Sequence, residues 1–176
     1  GSGTIMAPSG FQIRRGGKVT LTSGLIDTGY FIAYEGAQSG LMDMSGGTMR
    51  LSSYFFTYAG GAFHGNGGTV EMDGSADTYI RQRAPLGQSY FSSLRIKKSS
   101  GHRVYLYDES SHQGIRVNGT LTIDAGNTLE TNIKPVELGR DLENNGTYLH
   151  ENNLTTLVGS ANGEIRGSTA TTFYQL

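Results

Sequence analysis

Gly47-Thr48-Met49-Arg50-Leu51-Ser52 is the stretch on which the fold turns. It reads as a Gly, a Thr, an apolar residue, any residue, and a second apolar residue. The pattern returns as Gly68-Thr69-Val70-Glu71-Met72-Asp73 and as Gly119-Thr120-Leu121-Thr122-Ile123-Asp124. Looser copies are Gly17-Lys18-Val19-Thr20-Leu21 and Gly101-His102-Arg103-Val104-Tyr105-Leu106. Each copy reads as a turn followed by a short strand whose alternate residues face inward. So short a strand cannot bury its apolar face alone. Copies stacked on one another can, and that predicts a solenoid.

The copies are unevenly spaced. Gly47 to Gly68 is 21 residues, Gly17 to Gly47 is 30, Gly119 to Gly146 is 27 and Gly146 to Gly163 is 17. A coil of two or three strands with loops of unequal length gives such scatter; a regular hexapeptide solenoid does not. Four Asn-Gly pairs, at 66-67, 118-119, 145-146 and 162-163, predict sharp turns with positive φ. The same dipeptide favours two-residue hairpins, which leaves an antiparallel β-sandwich open as the alternative.

Composition narrows the function classes. Net charge is -1, so no basic field is present to hold nucleic acid. Glycine is abundant at 27 residues while proline numbers 3, so the glycines read as turns rather than disorder. Only 36% of residues are hydrophobic, but 10 Tyr and 7 Phe supply bulk. Cysteine is absent, which removes disulfides, zinc-thiolate sites and thiol catalysis together. No apolar run reaches the roughly 18 residues of a membrane-spanning helix, and no signal peptide is recognisable.

Tyr30-Phe31-Ile32-Ala33-Tyr34 is a continuous aromatic and β-branched run suited to a strand, and Tyr54-Phe55-Phe56-Thr57-Tyr58 resembles it about one coil later. No segment shows a capped helical period. The nearest candidate, Val136 to Leu142, is interrupted by Gly139. Residues 133–165, with Pro135 and the polar Asn144-Asn145, fit the strand pattern poorly and are expected to form an irregular insertion, either an inserted loop or an irregular coil.

A longer correspondence joins Phe91-Ser92-Ser93-Leu94-Arg95-Ile96, Ser100-Gly101, Ile115-Arg116-Val117-Asn118-Gly119-Thr120-Leu121-Thr122-Ile123 and the closing Phe173-Tyr174-Gln175-Leu176. This order resembles the repeat arrays of large secreted surface proteins of Bacteroidota-type bacteria, many of which leave the cell by the type IX route. It covers roughly residues 17–132 and resumes at 171–176. The resemblance implies an all-β, right-handed parallel β-helix with irregular coil lengths, and an extracellular or cell-surface location. A copy opening at 171–176 reads as the start of a further super-repeat. The expectation is therefore one β-solenoid segment over 1–176, taken from a longer repeat protein.

Chemistry-bearing motifs are sparse. His64, His102, His112 and His150 have no metal-ligand spacing and read as polar turn residues. Asp73-Gly74-Ser75-Ala76-Asp77 lacks the alternating ligands of a calcium loop and reads as a turn. Gly65-Asn66-Gly67-Gly68 has no following Gly-Lys-Ser/Thr to make a phosphate cradle, and no nucleophile elbow occurs. Thr120, Thr122, Thr171 and Thr172 do not recur at the fixed period of an ice-binding array. No catalytic, metal or cofactor residues are assigned.

Polysaccharide lyases and hydrolases often use β-helices. Their candidates here would be Lys97, Lys98, Arg103 or Arg95 with Asp108 and Glu109, although Lys97-Lys98 reads first as a solvated strand end. The aromatics Tyr30, Tyr34, Tyr54, Phe56 and Tyr58 are the candidate surface-binding residues, because alternate members of a strand must face outward. Burial under a wide coil or loop is the competing reading. The expected function is a non-enzymatic structural or adhesin module, a rigid spacer whose partners are neighbouring repeats of the same protein, glycans or other cell-surface proteins. The alternative is a carbohydrate-active β-helix, either a polysaccharide-binding domain or a lyase or hydrolase.

Overall fold

Every registered strand pair among the described residues is parallel, and the chain climbs through about seven turns of a three-sided β-solenoid. The structure, a computed structural model, describes residues 3–34, 40–99 and 101–176; Ser100 of the Ser100-Gly101 motif lies outside them. No helix is present among them. The parallel ladder disposes of the antiparallel sandwich.

The first coil is β1 (Thr4–Ala7), β2 (Phe11–Ile13) and β3 (Lys18–Leu21), and the second is β4 (Leu25–Thr28), β5 (Phe31–Ala33) and β6 (Leu41–Met44). The third is β7 (Thr48–Leu51), β8 (Phe55–Thr57) and β9 (Ala62–Gly65). In the fourth, β10 (Thr69–Met72) and β11 (Thr78–Gln82) are followed by a loop turning at Pro85. The third side there shrinks to two bridges, His64 to Tyr90 and Phe91 to Val117. The fifth is β12 (Ser93–Ile96), β13 (Arg103–Leu106) and β14 (Ile115–Val117), and the sixth is β15 (Thr120–Ile123), β16 (Thr128–Glu130) and β17 (Val136–Leu138). The seventh is β18 (Asp141–Asn144), β19 (Thr147–Leu149) and β20 (Thr155–Leu157), after which β21 (Ile165–Arg166) returns to the first side.

The first face is therefore an eight-stranded sheet and the second a seven-stranded one. The third is two three-stranded sheets joined through the Tyr90 and Phe91 bridges. The three close copies of the opening motif, β7, β10 and β15, all lie on the first face, whereas the looser copies, β3 and β13, lie on the third and second. Gly47 to Gly68 is one coil; Gly17 to Gly47 joins two different faces, which is why the spacing looked irregular. Residues 133–165 are no insertion. They carry β17 to β20 in register with the coils below, and Val136 to Leu142 is two strands meeting at a corner.

The interior is one continuous column of apolar side chains. Phe31 and Phe55 stack at 5.1 Å between ring centres, and Phe63 and Phe91 pack edge-on or tilted against Phe55 at 5.2 and 4.9 Å. Met42, Met44, Met49 and Met72 fill the same space, all fully buried. Each such side chain contributes about 1.5–3 kcal/mol on leaving water. In the seventh coil the interior turns polar. Tyr148 Oη lies 2.8 Å from Thr155 Oγ1, and Asn153 Nδ2 donates to Tyr148 at 3.0 Å. Tyr148 and Thr155 are matched in this way, whereas Asn153 Oδ1 is enclosed without a partner. That polar core hides the rung pattern of residues 133–165.

The Asn-Gly pairs do not adopt the expected positive φ; none of their residues is among the left-handed positions. Their glycines answer to close approach instead. A Cβ on Gly67 would lie 2.3 Å from the Ser45 carbonyl oxygen, and one on Gly163 would lie 2.1 Å from that of Arg140. At these corners one rung's backbone rests directly on the next.

Candidate functional site

The outward side chains of the second face form columns, because parallel in-register strands place each residue over its counterpart one coil below. Tyr30, Tyr54, Tyr79 and Tyr105 make one column. Tyr30 and Tyr54 lie 4.8 Å apart between ring centres with planes 5° apart, and Tyr54 and Tyr79 lie 5.1 Å apart with planes 2° apart. Such separations are smaller than the width of a ring with its hydrogens, so the rings cannot lie flat side by side. They face one another and turn edges and hydroxyls to solvent. Gly10 occupies the rung below Tyr30, where a Cβ would strike the ring.

Beside it runs a second column. Tyr34 stacks on Tyr58 at 5.1 Å, capped by the Arg14 guanidinium 4.4 Å from the Tyr34 centre and by Arg83 at 5.6 Å from Tyr58. Phe56 lies between the columns under Arg81, 4.6 Å from its ring centre, and is only 6% exposed. The four tyrosines of the candidate set, Tyr30, Tyr34, Tyr54 and Tyr58, thus point outward and are half-buried by their own stacking, while Phe56 is covered. Burial, with the neighbouring phenols adding to it, raises the Tyr54 pKa; burial likewise raises that of Tyr79.

Arg81 and Arg83 both donate through Nε and Nη2 to the single carboxylate of Glu109, which also accepts from Ser111. These partners hold the Glu109 carboxyl far below the usual carboxylate range. The loop that carries Glu109 also buries His112. Its Nδ1 lies 2.8 Å from the Tyr107 carbonyl oxygen, while Nε2 is enclosed without a partner. Burial lowers this imidazole to about 4. His112 is therefore no polar turn residue but part of the packing under the loop.

The first face carries a feature the sequence reading missed. The residue counted as "any" in the opening motif is Asp27, Arg50, Glu71, Arg95, Thr122, Glu143 and Arg166 in successive rungs, so acids and bases alternate for most of the solenoid's length. Arg50 lies 3.3 Å from Asp27, 3.6 Å from Glu71 and 3.4 Å from Asp73, and Arg95 pairs with Asp124 at 2.9 Å. Of the three close copies of the opening motif, two carry charge at this position, Arg50 and Glu71, and the third carries Thr122. The alternation needed the register to become visible. Beside the ions, Thr48, Thr69, Ser93 and Thr120 line a shallow trough of about 290 Å³.

The residues considered for polysaccharide chemistry do not converge. Arg95 and Lys97 are on the first face, and Lys97 lies 3.8 Å from Glu71. Arg103 is on the second, bound to Asp77 and Glu130. Asp108 is exposed 3.4 Å from Lys134. Lys98 is not a solvated strand end. It is buried at the corner between these faces, where its Nζ donates to the carbonyl oxygens of Ser52 and Asp73 and ties together the corners of three successive coils. Burial lowers its pKa. Among the described residues no group of three or more His, Asp or Glu is placed to hold a metal ion. Comparisons with protein-family models, curated proteins and solved structures return no match.

Proposed function

We propose that this chain is a non-enzymatic structural module, a rigid spacer or adhesin segment of a large secreted or cell-surface protein, with neighbouring repeats of the same protein as its first partners. The observation that carries this reading is that the outer side chains are spent on their own rung neighbours. Guanidiniums meet carboxylates along the first face, and tyrosine faces meet tyrosine faces along the second. Contacts directed along the axis stiffen a rod. A sugar-stacking platform would instead leave ring faces open, and here those faces are occupied. A depression of about 480 Å³ is lined by Arg140, Asn162, glycine corners and apolar side chains, with no carboxylate among them. The extracellular location is supported by the resemblance of the Phe91 and Asn118-Gly119-Thr120 motifs to secreted repeat arrays.

A glycan array combined with a polysaccharide-hydrolysis screen tests the reading. A spacer gives no selective glycan and no cleavage. Selective binding lost in Tyr54→Ala or Tyr58→Ala, or turnover of any polysaccharide, would replace it with the carbohydrate-active alternative.

A further inference from the structure

We propose that Asn162 is a site of spontaneous isoaspartate formation, set apart by the fold from three otherwise equivalent Asn-Gly pairs. The reaction needs the backbone nitrogen of the following residue to attack the asparagine side-chain carbonyl carbon. The carbon–nitrogen bond of the side-chain amide breaks and ammonia leaves. The resulting succinimide then takes up one water and opens to aspartate or isoaspartate, with no change in oxidation state. Glycine as the next residue places no Cβ in the way, so all four pairs are competent by sequence.

The structure separates them. The Gly67 amide donates to the Met44 carbonyl at 3.1 Å and the Gly119 amide to Ser92 at 2.7 Å, both rung-to-rung bonds. The Gly146 amide is turned to Asn144 Oδ1 at 3.2 Å. The asparagine side chains are also held. Asn66 donates to Asp43 and accepts from Tyr90, Asn118 accepts from Arg116, and Asn145 donates to Glu143 and accepts from the Ser168 amide. At the fourth pair, among the described residues, neither the Asn162 side chain nor the Gly163 amide makes a hydrogen bond, and both residues are exposed. The three held pairs must open before they react; Asn162 need not.

The consequence falls on β21, the last strand of the first face. Glu164 donates its amide to Asp141 Oδ1 at 3.1 Å and accepts from the Leu142 amide at 2.9 Å, and Ile165 pairs with Leu142. Isoaspartate two residues earlier lengthens the main chain by one carbon and adds a negative charge beside Asp141 and Glu164. The pairing of β21 with β18 should loosen while the coils below keep theirs.

This inference does not depend on the spacer reading. The test is ageing of the intact chain at mildly alkaline pH, with conversion at each Asn-Gly followed by peptide mass spectrometry. In the folded chain Asn162 should convert roughly tenfold faster or more than Asn66, Asn118 and Asn145, since each of those is held by bonds that must first break. In denaturant the four rates should converge. Asn162→Gln should abolish the fast phase and leave the slow ones unchanged. Faster conversion at any of the other three, equal rates in the folded chain, or a lead for Asn162 that persists in denaturant would each overturn the proposal.

Discussion

The first and second faces share one interior but guard it differently. The first is edged by charges that alternate from Asp27 to Arg95 and, past Thr122, from Glu143 to Arg166. The second is edged by a tyrosine column, stacked from Tyr30 to Tyr79 and tilted at Tyr105. Both devices solve the same problem. A parallel ladder is held by backbone bonds that any register could make, and matching side chains on successive rungs favour one register over its slips. Ions do so by sign, at little net stability in water, and respond to salt. Rings do so by shape and respond to alkali. The two faces should therefore fail under different conditions although they belong to one solenoid.

The largest difference lies inside. Phe55 stands behind the second face, in contact with Phe31, Phe63 and Phe91. Phe55→Ala should cost about 3–5 kcal/mol by chemical denaturation. Met49→Ala, behind the first face, should cost less, because flexible methionines refill space more readily. An equal or reversed ranking would contradict a phenylalanine-centred core.

Acid should strike first at the loop between the second and third faces, where His112 is buried. His112 is held at about 4 against an ordinary 6.5, so between these values the unfolded chain takes up a proton that the folded chain refuses. Its stabilising contribution is full above pH 6.5 and is lost as pH falls through 4. It amounts to about 3 kcal/mol at most. His112→Leu should flatten the urea-midpoint profile across that window, and an unchanged slope would remove His112 as the cause.

At the corner joining the two faces, Lys98→Ala leaves the Ser52 and Asp73 carbonyls without their donor and should cost about 2 kcal/mol in thermal or urea unfolding. No loss would mean that the buried ammonium is replaceable by water.

The smallest effects separate the outer edges directly. Glu71→Gln weakens contacts to Arg50, Arg95 and Lys97 and should cost about 0.5–1 kcal/mol at low salt, shrinking as salt rises. Tyr54→Leu should cost a comparable amount, about 0.5–1.5 kcal/mol, with no salt dependence. Because the folded-state pKa values of Tyr54 and Tyr79 are raised, the ring column's contribution is whole below the ordinary tyrosine value of 10.0 and is lost as pH climbs through the raised ones. Salt-dependent loss in Tyr54→Leu, or salt-independent loss in Glu71→Gln, would break the contrast.

The architecture was legible where the inner positions are apolar and the corner is a glycine, as at Gly47, Gly68 and Gly119. It was illegible from Val136 to Leu157, where strands are three or four residues long and inner places go to Asn144, Tyr148 and Thr155. Alternation cannot be read from so few residues when the inward ones are polar. The tyrosines were found as strand residues. That their faces are spent on each other depends on register, which spacing alone does not fix. Lys98 and His112 look like ordinary surface residues until the corners of neighbouring coils close over them.

Disulfide trapping between engineered cysteines tests the in-register parallel stack most directly, since the chain has no cysteine of its own. Thr48 and Thr69 are register partners on adjacent rungs and both point outward. Thr48→Cys with Thr69→Cys should cross-link readily under mild oxidation, while Thr48→Cys with Asp73→Cys, displaced along the strand, should not. Trapping of the displaced pair in preference to the matched one would contradict the stacked-coil structure.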